Sequence, residues 1–177
     1  NIATAMIDKG TDQKDKYEQR CYRLMGSCLY KKHKYAQSKK VYQDILEERE
    51  LEWASIGLGK SMLALNELDE AEALFTKLVD NGCPCLEIYD YLAEIKTRQG
   101  DTEQAQNILE RAIEVSPNAL MRQERLAEIS EDNQDWSRAG KARKKVIRLS
   151  NNSVHESPEQ HFKLARCINA EIGQSEG

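Results

Sequence analysis

The chain has 177 residues, of which 40% are apolar and 32% charged, with only 9 Gly and 3 Pro. This composition excludes a collagen-like or Gly/Pro-rich disordered chain and favours helix. The net charge of −4 argues against a dedicated nucleic-acid-binding protein, and no apolar run approaches the roughly 18–20 residues of a membrane span.

The sequence repeats itself with a period of 34 residues. Residues 52–85 align without gaps with residues 86–119, a third unit covers 120–153, and an earlier, slightly shorter unit covers 19–51. We therefore predict an N-terminal helical segment (1–18), these four repeats, an insertion (154–157), and a final or capping helix with its tail (158–177). An apolar position recurs in phase as Met25, Leu58, Leu92 and Leu126. Two small positions recur as Gly26, Gly59, Ala93 and Ala127, and as Ser38, Ala71, Ala105 and Ala139.

Each unit reads as two helices joined by a short turn, and the small residues allow those helices to approach closely. The turns fall at one phase, and Asp101 can cap the helix that follows its turn. Ser38 replaces the usual Ala in the first unit, so helix pairing is less secure there. Ser157 and Pro158 start a new helix after the insertion. The predicted turn residues are His33–Lys34, Asn66–Glu67, Gly100–Asp101 and Gln134–Asp135.

This period and the run GDTEQAQNILERAIEVSPNA resemble the tetratricopeptide repeat (TPR) family over roughly residues 19–153. The resemblance implies an all-α fold: a right-handed superhelix of antiparallel helix pairs (a TPR solenoid) with about four repeats plus a final helix. It also implies a non-enzymatic protein–protein interaction scaffold. The closing Pro of the family occurs only as Pro117, and its equivalents are Glu50, Cys83 and Asn151.

A narrower resemblance involves LEWASIGLGKSMLALNELDEAEALFTKLVDN, IYDYLAEIKTRQGDTEQAQNILERAIEVSPNALMRQERLAEI and NSVHESPEQHFKLARC. Together they look like the repeat region of bacterial response regulators that carry a receiver domain. That resemblance implies the output region of a two-component signal-transduction protein. The alternatives are a regulatory or accessory segment of an enzyme whose catalytic domain lies elsewhere, and a nucleic-acid-linked adaptor using residues 138–148.

No catalytic, cofactor-binding or metal site is predicted. GLGKS at residues 57–61 superficially resembles a phosphate loop, but the spacing is wrong and Gly59 is the small position of its repeat. Cys83-Pro84-Cys85 has no second pair to complete a zinc site. The five cysteines are odd in number and irregularly spaced, which favours a reduced, cytoplasmic setting. The basic run KARKK (141–145) is expected to lie on a solvated convex face, neutralised by acidic residues of the preceding helix.

By the TPR resemblance, the first helix of each pair lines a concave groove that binds a protein or peptide partner, without nucleic acid or membrane. The groove is expected to be basic and aromatic, then apolar, then acidic along its length. Trp53 is either a partner contact or packs internally. The predicted groove residues are Arg20, Arg23, Tyr30, Trp53, Ile56, Lys60, Leu63, Glu87, Asp90, Glu94, Glu124 and Glu128.

Helix faces at the two ends are expected to be exposed, because terminal repeats lack one neighbour. We therefore expect a homo-oligomer formed by end-to-end pairing through Phe162, Ile168 or the residue 1–9 segment.

Overall fold

The computed structural model describes residues 2–151 and 157–175, which form nine α-helices and no β-strand. The predicted all-α class is confirmed. The predicted insertion lies outside the described residues except for Ser157, and so do the side chains of residues 1–9. The helices are α1 (Ile2–Lys31), α2 (Tyr35–Glu48), α3 (Glu52–Ala64), α4 (Leu68–Asp80), α5 (Glu87–Arg98), α6 (Thr102–Val115), α7 (Leu120–Asp132), α8 (Trp136–Ser150) and α9 (Pro158–Ser175).

Four short turns join α1 to α2, α3 to α4, α5 to α6 and α7 to α8, so each pair is antiparallel. Each turn has one residue with positive φ, and these residues lie in the four turns predicted at one phase: His33 (57°), Asn66 (62°), Gly100 (84°) and Gln134 (59°). The next backbone N–H then reaches back five residues, as in Lys34 N to Leu29 O at 3.0 Å. This left-handed C-terminal cap satisfies carbonyls that the helix leaves unpaired.

Acidic side chains cap two of the second helices. The Asp101 carboxylate accepts a hydrogen bond from the Gln104 backbone N–H at 3.1 Å, which confirms the predicted cap. Asp135 accepts from the Arg138 backbone N–H at 3.0 Å in the same way. Each cap pairs a helix N–H that has no intrahelical partner.

The chain divides into an N-terminal unit ending at residue 88 and a C-terminal unit starting at residue 89. In the N-terminal unit, α2 and α3 bury a cluster of Tyr42, Ile45, Ala54 and Leu58. Ser38 is fully buried and donates a hydrogen bond to Gly26 O at 2.9 Å, so Ser pairs α1 with α2 through a polar contact instead of the usual Ala.

The C-terminal unit has its own core on α5, α6, α7 and α8. Small alanines at the repeat positions let the helices approach, and larger aliphatic side chains fill the space between them. A buried hydrogen bond from Gln106 to Ser130 at 2.8 Å joins α6 to α7. The core cluster consists of Ala93, Ala105, Leu109, Leu126, Ala127, Ile129 and Ala142.

Met25 differs in burial from the other members of its recurring apolar position. Leu58, Leu92 and Leu126 are buried, but Met25 is 49% exposed, and Tyr17 and Leu24 are exposed beside it. The reason is that α1 packs on α2 and α3, and no helix of the described N-terminal unit covers its opposite side. The predicted boundary between residues 18 and 19 falls inside α1.

Candidate functional site

Two cavities along α1 and α3 of the N-terminal unit meet at Trp53. They share Arg23, Ser27 and Trp53, so we describe them together as the Trp53 groove. The first cavity, of about 450 Å³, is lined by Lys16, Gln19, Arg20, Arg23, Leu24, Ser27 and Trp53. The second, of about 380 Å³, is lined by Arg23, Ser27, Tyr30, Lys31, Tyr42, Trp53, Ile56, Gly57, Lys60, Cys85 and Glu87.

Trp53 is half-buried: it packs against neighbouring side chains and also lines the groove. Its ring packs edge-on against Tyr42, with centroids 6.4 Å apart and planes at 72°. The Arg23 guanidinium carbon lies 5.9 Å from the indole centroid, within the range of a cation–π contact. The indole is therefore held in place on one side while it lines both cavities on the other.

Tyr42 supports Trp53 and is itself seated between two glycines. A Cβ atom added to Gly26 would lie 2.5 Å from Tyr42 Cζ, and one added to Gly57 would lie 2.4 Å from it. These distances are far below carbon–carbon contact, so the ring fits only because both residues lack a side chain. Tyr42 is 5% exposed, and its hydroxyl lies 3.4 Å from Ser27 Oγ.

Positive charge dominates the Trp53 groove of this acidic chain. Its lining contains five basic side chains and one acidic side chain, Glu87. Lys60 Nζ lies 5.4 Å from the ring centroid of Tyr30, so a second cation–π contact stands in the same groove. The basic residues are Lys16, Arg20, Arg23, Lys31 and Lys60.

Seven of the predicted groove residues line the Trp53 groove: Arg20, Arg23, Tyr30, Trp53, Ile56, Lys60 and Glu87. Leu63 does not, which corrects its assignment: it is 7% exposed and belongs to the core. The repeat phase could not assign Lys16 to the groove, because that residue precedes the first unit. It also missed Tyr42, which lies on a second helix and reaches the groove only because two glycines admit its ring.

The other four predicted acidic residues lie in the C-terminal unit around a cavity of about 600 Å³, which Asp90, Glu94, Glu124 and Glu128 help to line. Arg122, which the repeat phase does not assign to the groove, donates two hydrogen bonds of 2.7 and 2.8 Å to the Asp90 carboxylate. Because Arg122 neutralises it, Asp90 is not the bare acidic contact that the sequence suggested.

Glu94 and Glu124 are also engaged within the C-terminal unit. Glu94 forms ion pairs with Arg98 at 2.7 Å and with Arg125. Burial alone would raise the pKa of Glu94, but hydrogen bonds and positive charge from Arg98 and Arg125 outweigh it and hold the pKa below its ordinary value. Glu124 accepts a hydrogen bond from Gln160 Nε2 at 3.2 Å. The expected acidic stretch is therefore largely internal pairing, while Glu128 is exposed.

The basic run on α8 is not wholly solvated, which corrects that expectation. Arg143 is 1% exposed and its Nε lies 2.6 Å from a carboxylate oxygen of Glu131. Arg166 of α9 pairs with the other oxygen, and Cys167 lies 3.5 Å from the first. Burial alone would raise the pKa of Glu131, but hydrogen bonding and charge from Arg143, then Arg166, hold it below its usual value. Burial and the nearby carboxylate raise the pKa of the Cys167 thiol.

No group of three or more His, Cys, Asp or Glu among the described residues is arranged to hold a metal ion. Cys83 contacts the Glu52 carboxylate at 3.7 Å, and all five cysteines are free thiols. Of the helices in the described residues, none combines the length and apolar character needed to span a membrane.

Antiparallel helix pairs with turns 33 to 34 residues apart define a helical-repeat protein, and one of the repeats matches a known family model. The tetratricopeptide repeat family model matches residues 87–119. None of the curated proteins matches this chain at a significant level of sequence similarity.

Solved structures of similar fold include the MamA protein, with a TM-score of 0.72 and 16% identity over 89% of this chain and 84% of that one. A thermophilic TPR protein of Thermus thermophilus gives 0.63 and 20% over 86% and 82%. YrrB, a TPR protein with an unusual peptide-binding site, gives 0.68 and 14% over 85% and 76%. At such identities the likeness establishes the fold, and the predicted TPR fold is confirmed.

Proposed function

We propose that this chain is a non-enzymatic protein-interaction module that binds a segment of a partner protein in the Trp53 groove. The single observation that carries the proposal is the placement of Trp53, a half-buried indole shared by two cavities and fixed by Tyr42 and Arg23. Trp and Arg are enriched among the residues that dominate binding energy at protein interfaces. The described peptide-binding site of YrrB, which has a similar fold, also supports a peptide-binding role.

The experiment compares partner capture by wild type and Trp53→Ala protein from the source cell. The proposal expects a partner whose affinity falls at least about tenfold in Trp53→Ala, a loss of about 1.4 kcal/mol. Trp136→Ala is the matched control, because Trp136 belongs to α8 of the C-terminal unit and lines neither cavity. Circular dichroism establishes that both variants remain helical. A folded Trp53→Ala protein that keeps every partner at unchanged affinity contradicts the proposal.

The repeat boundaries at 19–51, 52–85, 86–119 and 120–153 are part of the proposal. The spacing of α1 to α8 supports them, since each of the last three ranges holds one complete helix pair and the first holds the end of α1 with all of α2. We further assign the module, on its sequence resemblance alone, to the cytoplasmic output region of a bacterial two-component signalling protein. The competing assignment is an accessory segment of an enzyme. The coding sequence around this chain distinguishes them, since a receiver domain supports the first and a catalytic domain the second.

A further inference from the structure

The basic residues of the Trp53 groove form a ladder along one side of α1. Lys16, Arg20 and Arg23 follow one another at helical spacings of four and three residues, and Lys31 continues the row two turns later. From Lys16 to Lys31 the ladder extends about 22 Å, at 1.5 Å per residue. Lys60 faces it from α3. The charges are therefore spread along the groove and do not converge on one point.

We infer that the partner segment is an internal acidic stretch, bound in extended form, with one apolar residue seated against Trp53 and Ile56. This inference rests on the proposed function and specifies the chemistry of the partner. Five basic side chains against Glu87 give the groove a positive field on a chain of net charge −4. Such a field attracts carboxylates and rejects basic segments.

The spacing of the ladder fits alternate residues of an extended chain. Four residues of helix advance about 6 Å, and two residues of an extended strand advance about 6.6 Å. Carboxylates at every second position of the partner can thus meet Lys16 and Arg20 in turn. The intervening side chains point the other way, so the acidic residues alone face α1.

The aromatic rings favour a peptide over single-stranded nucleic acid. Binding of single strands without sequence preference needs open aromatic faces on which bases stack. Here the Arg23 guanidinium lies at the Trp53 ring and the Lys60 ammonium at the Tyr30 ring. A guanidinium over an aromatic ring still presents its N–H groups to a carboxylate, so Arg23 can contact the indole and the partner together.

The test uses a fluorescent eleven-residue peptide, acetylated and amidated at its ends, with Glu at alternate positions and one central Leu. Fluorescence anisotropy measures its affinity for the full chain against two matched peptides that carry Gln or Lys in place of Glu. The Glu peptide should bind at least tenfold more tightly than the Gln peptide, and the Lys peptide should not bind. Raising the salt concentration should weaken binding of the Glu peptide, because salt screens the attraction between exposed charges. The blocked C-terminus ensures that side-chain carboxylates alone are measured.

The double charge reversal Arg20→Glu with Arg23→Glu should lower the affinity for the Glu peptide at least tenfold. Both side chains are exposed, so the variant should still fold. Lys34→Glu with Lys40→Glu is the control: it reverses as much charge at exposed positions outside both cavities and should change affinity less than twofold. Equal binding of the Glu and Gln peptides, or no binding of either, overturns the inference. So does an oligothymidine that binds more tightly than the Glu peptide, which would indicate a nucleic-acid site.

Binding of the natural partner by the two variants distinguishes failure of this inference from failure of the proposed function. If Trp53→Ala releases that partner while the arginine reversal does not, the groove is the binding site but its partner is not acidic. If neither variant affects the natural partner, the proposed function itself fails.

Discussion

The seat of Tyr42 between two glycines makes Gly57→Ala a stringent test of the packing beneath the groove. The new Cβ would lie 2.4 Å from Tyr42 Cζ, whereas carbon atoms in contact are about 3.5–4.0 Å apart. The ring cannot retreat towards α1, because the backbone of Gly26 lies against it there. Either the ring tilts or α3 moves away from α2, and both movements disturb Trp53, which packs on the same ring.

Two opposing effects set the magnitude. Replacing Gly by Ala inside a helix stabilises the folded state by about 0.5–1 kcal/mol. Adding a methyl group to a filled core costs about 1–3 kcal/mol. Since Tyr42 is buried and held on both sides, we expect the cost to be larger and the net loss to be about 1–2 kcal/mol in the free energy of unfolding. Partner affinity should fall as well, because Trp53 loses its support.

Urea unfolding followed by circular dichroism measures the loss. The control is Gly140→Ala, where an added Cβ has no neighbouring atom within 4 Å, and a gain of about 0.5–1 kcal/mol is expected. In a Tyr42→Leu background the outer ring atoms are gone, so Gly57→Ala should lose its penalty. The coupling is the difference between the loss in wild type and the gain expected without the clash, and it should amount to about 1.5–3 kcal/mol. If Gly57→Ala stabilises wild type as Gly140→Ala does, the proposed seating of Tyr42 is wrong.

Two further predictions concern the C-terminal unit. The pKa of Glu131 is held below its ordinary value, so its stabilising contribution is complete above a pH of about 4.3 and is lost as pH falls through the folded-state pKa. Glu131→Gln should remove this part of the acid sensitivity, and it should cost about 3–5 kcal/mol at pH 7 because Arg143 is left buried without a carboxylate. Urea unfolding between pH 3 and 7 measures both effects. If the free energy of unfolding changes equally with pH in variant and wild type, this account is wrong. Phe162 is 71% exposed on α9, so Phe162→Ser should reduce self-association in light scattering at high concentration, whereas Val115→Ser, at a similarly exposed residue, should not. A wild-type protein that remains strictly monomeric argues against pairing through α9.

The helix pairs, their turns and their small contact positions could be predicted from the sequence because they follow from local chemistry and period. Ala93 and Ala127 are fully buried, as their phase required, and Asp101 caps its helix. Trp53 was recognised as a groove residue because a large aromatic side chain stood at a phase that faces the groove in the TPR family.

Side-chain pairing between helices could not be predicted in the same way. Phase gives the face of one helix, but the ion pair between Asp90 and Arg122 depends on which residues of two neighbouring helices meet. Neutralisation of the basic run by the preceding helix was expected, but the period does not show that Glu131 pairs with Arg143 in the interior while the run as a whole looks solvated. The exposure of Met25 could not be predicted either, because burial of an apolar side chain at its phase requires a neighbouring helix on that side, which the sequence period does not reveal.

Three of the turns contain a residue other than Gly at positive φ, and replacing such a residue by Gly could raise stability. His33, Asn66 and Gln134 hold a left-handed backbone with a side chain attached, which costs most residues about 1–2 kcal/mol, although Asn tolerates it better. His33 Nδ1 lies 2.6 Å from the Tyr35 hydroxyl, and the Tyr35 ring packs on Tyr30, so side chains connect that turn to the Trp53 groove. Gln134 has no such tie among the described contacts of its side chain. Glycine at this position would therefore raise the stability of the fold. A more stable fold tolerates destabilising substitutions on a binding surface, and such substitutions can give it new partners.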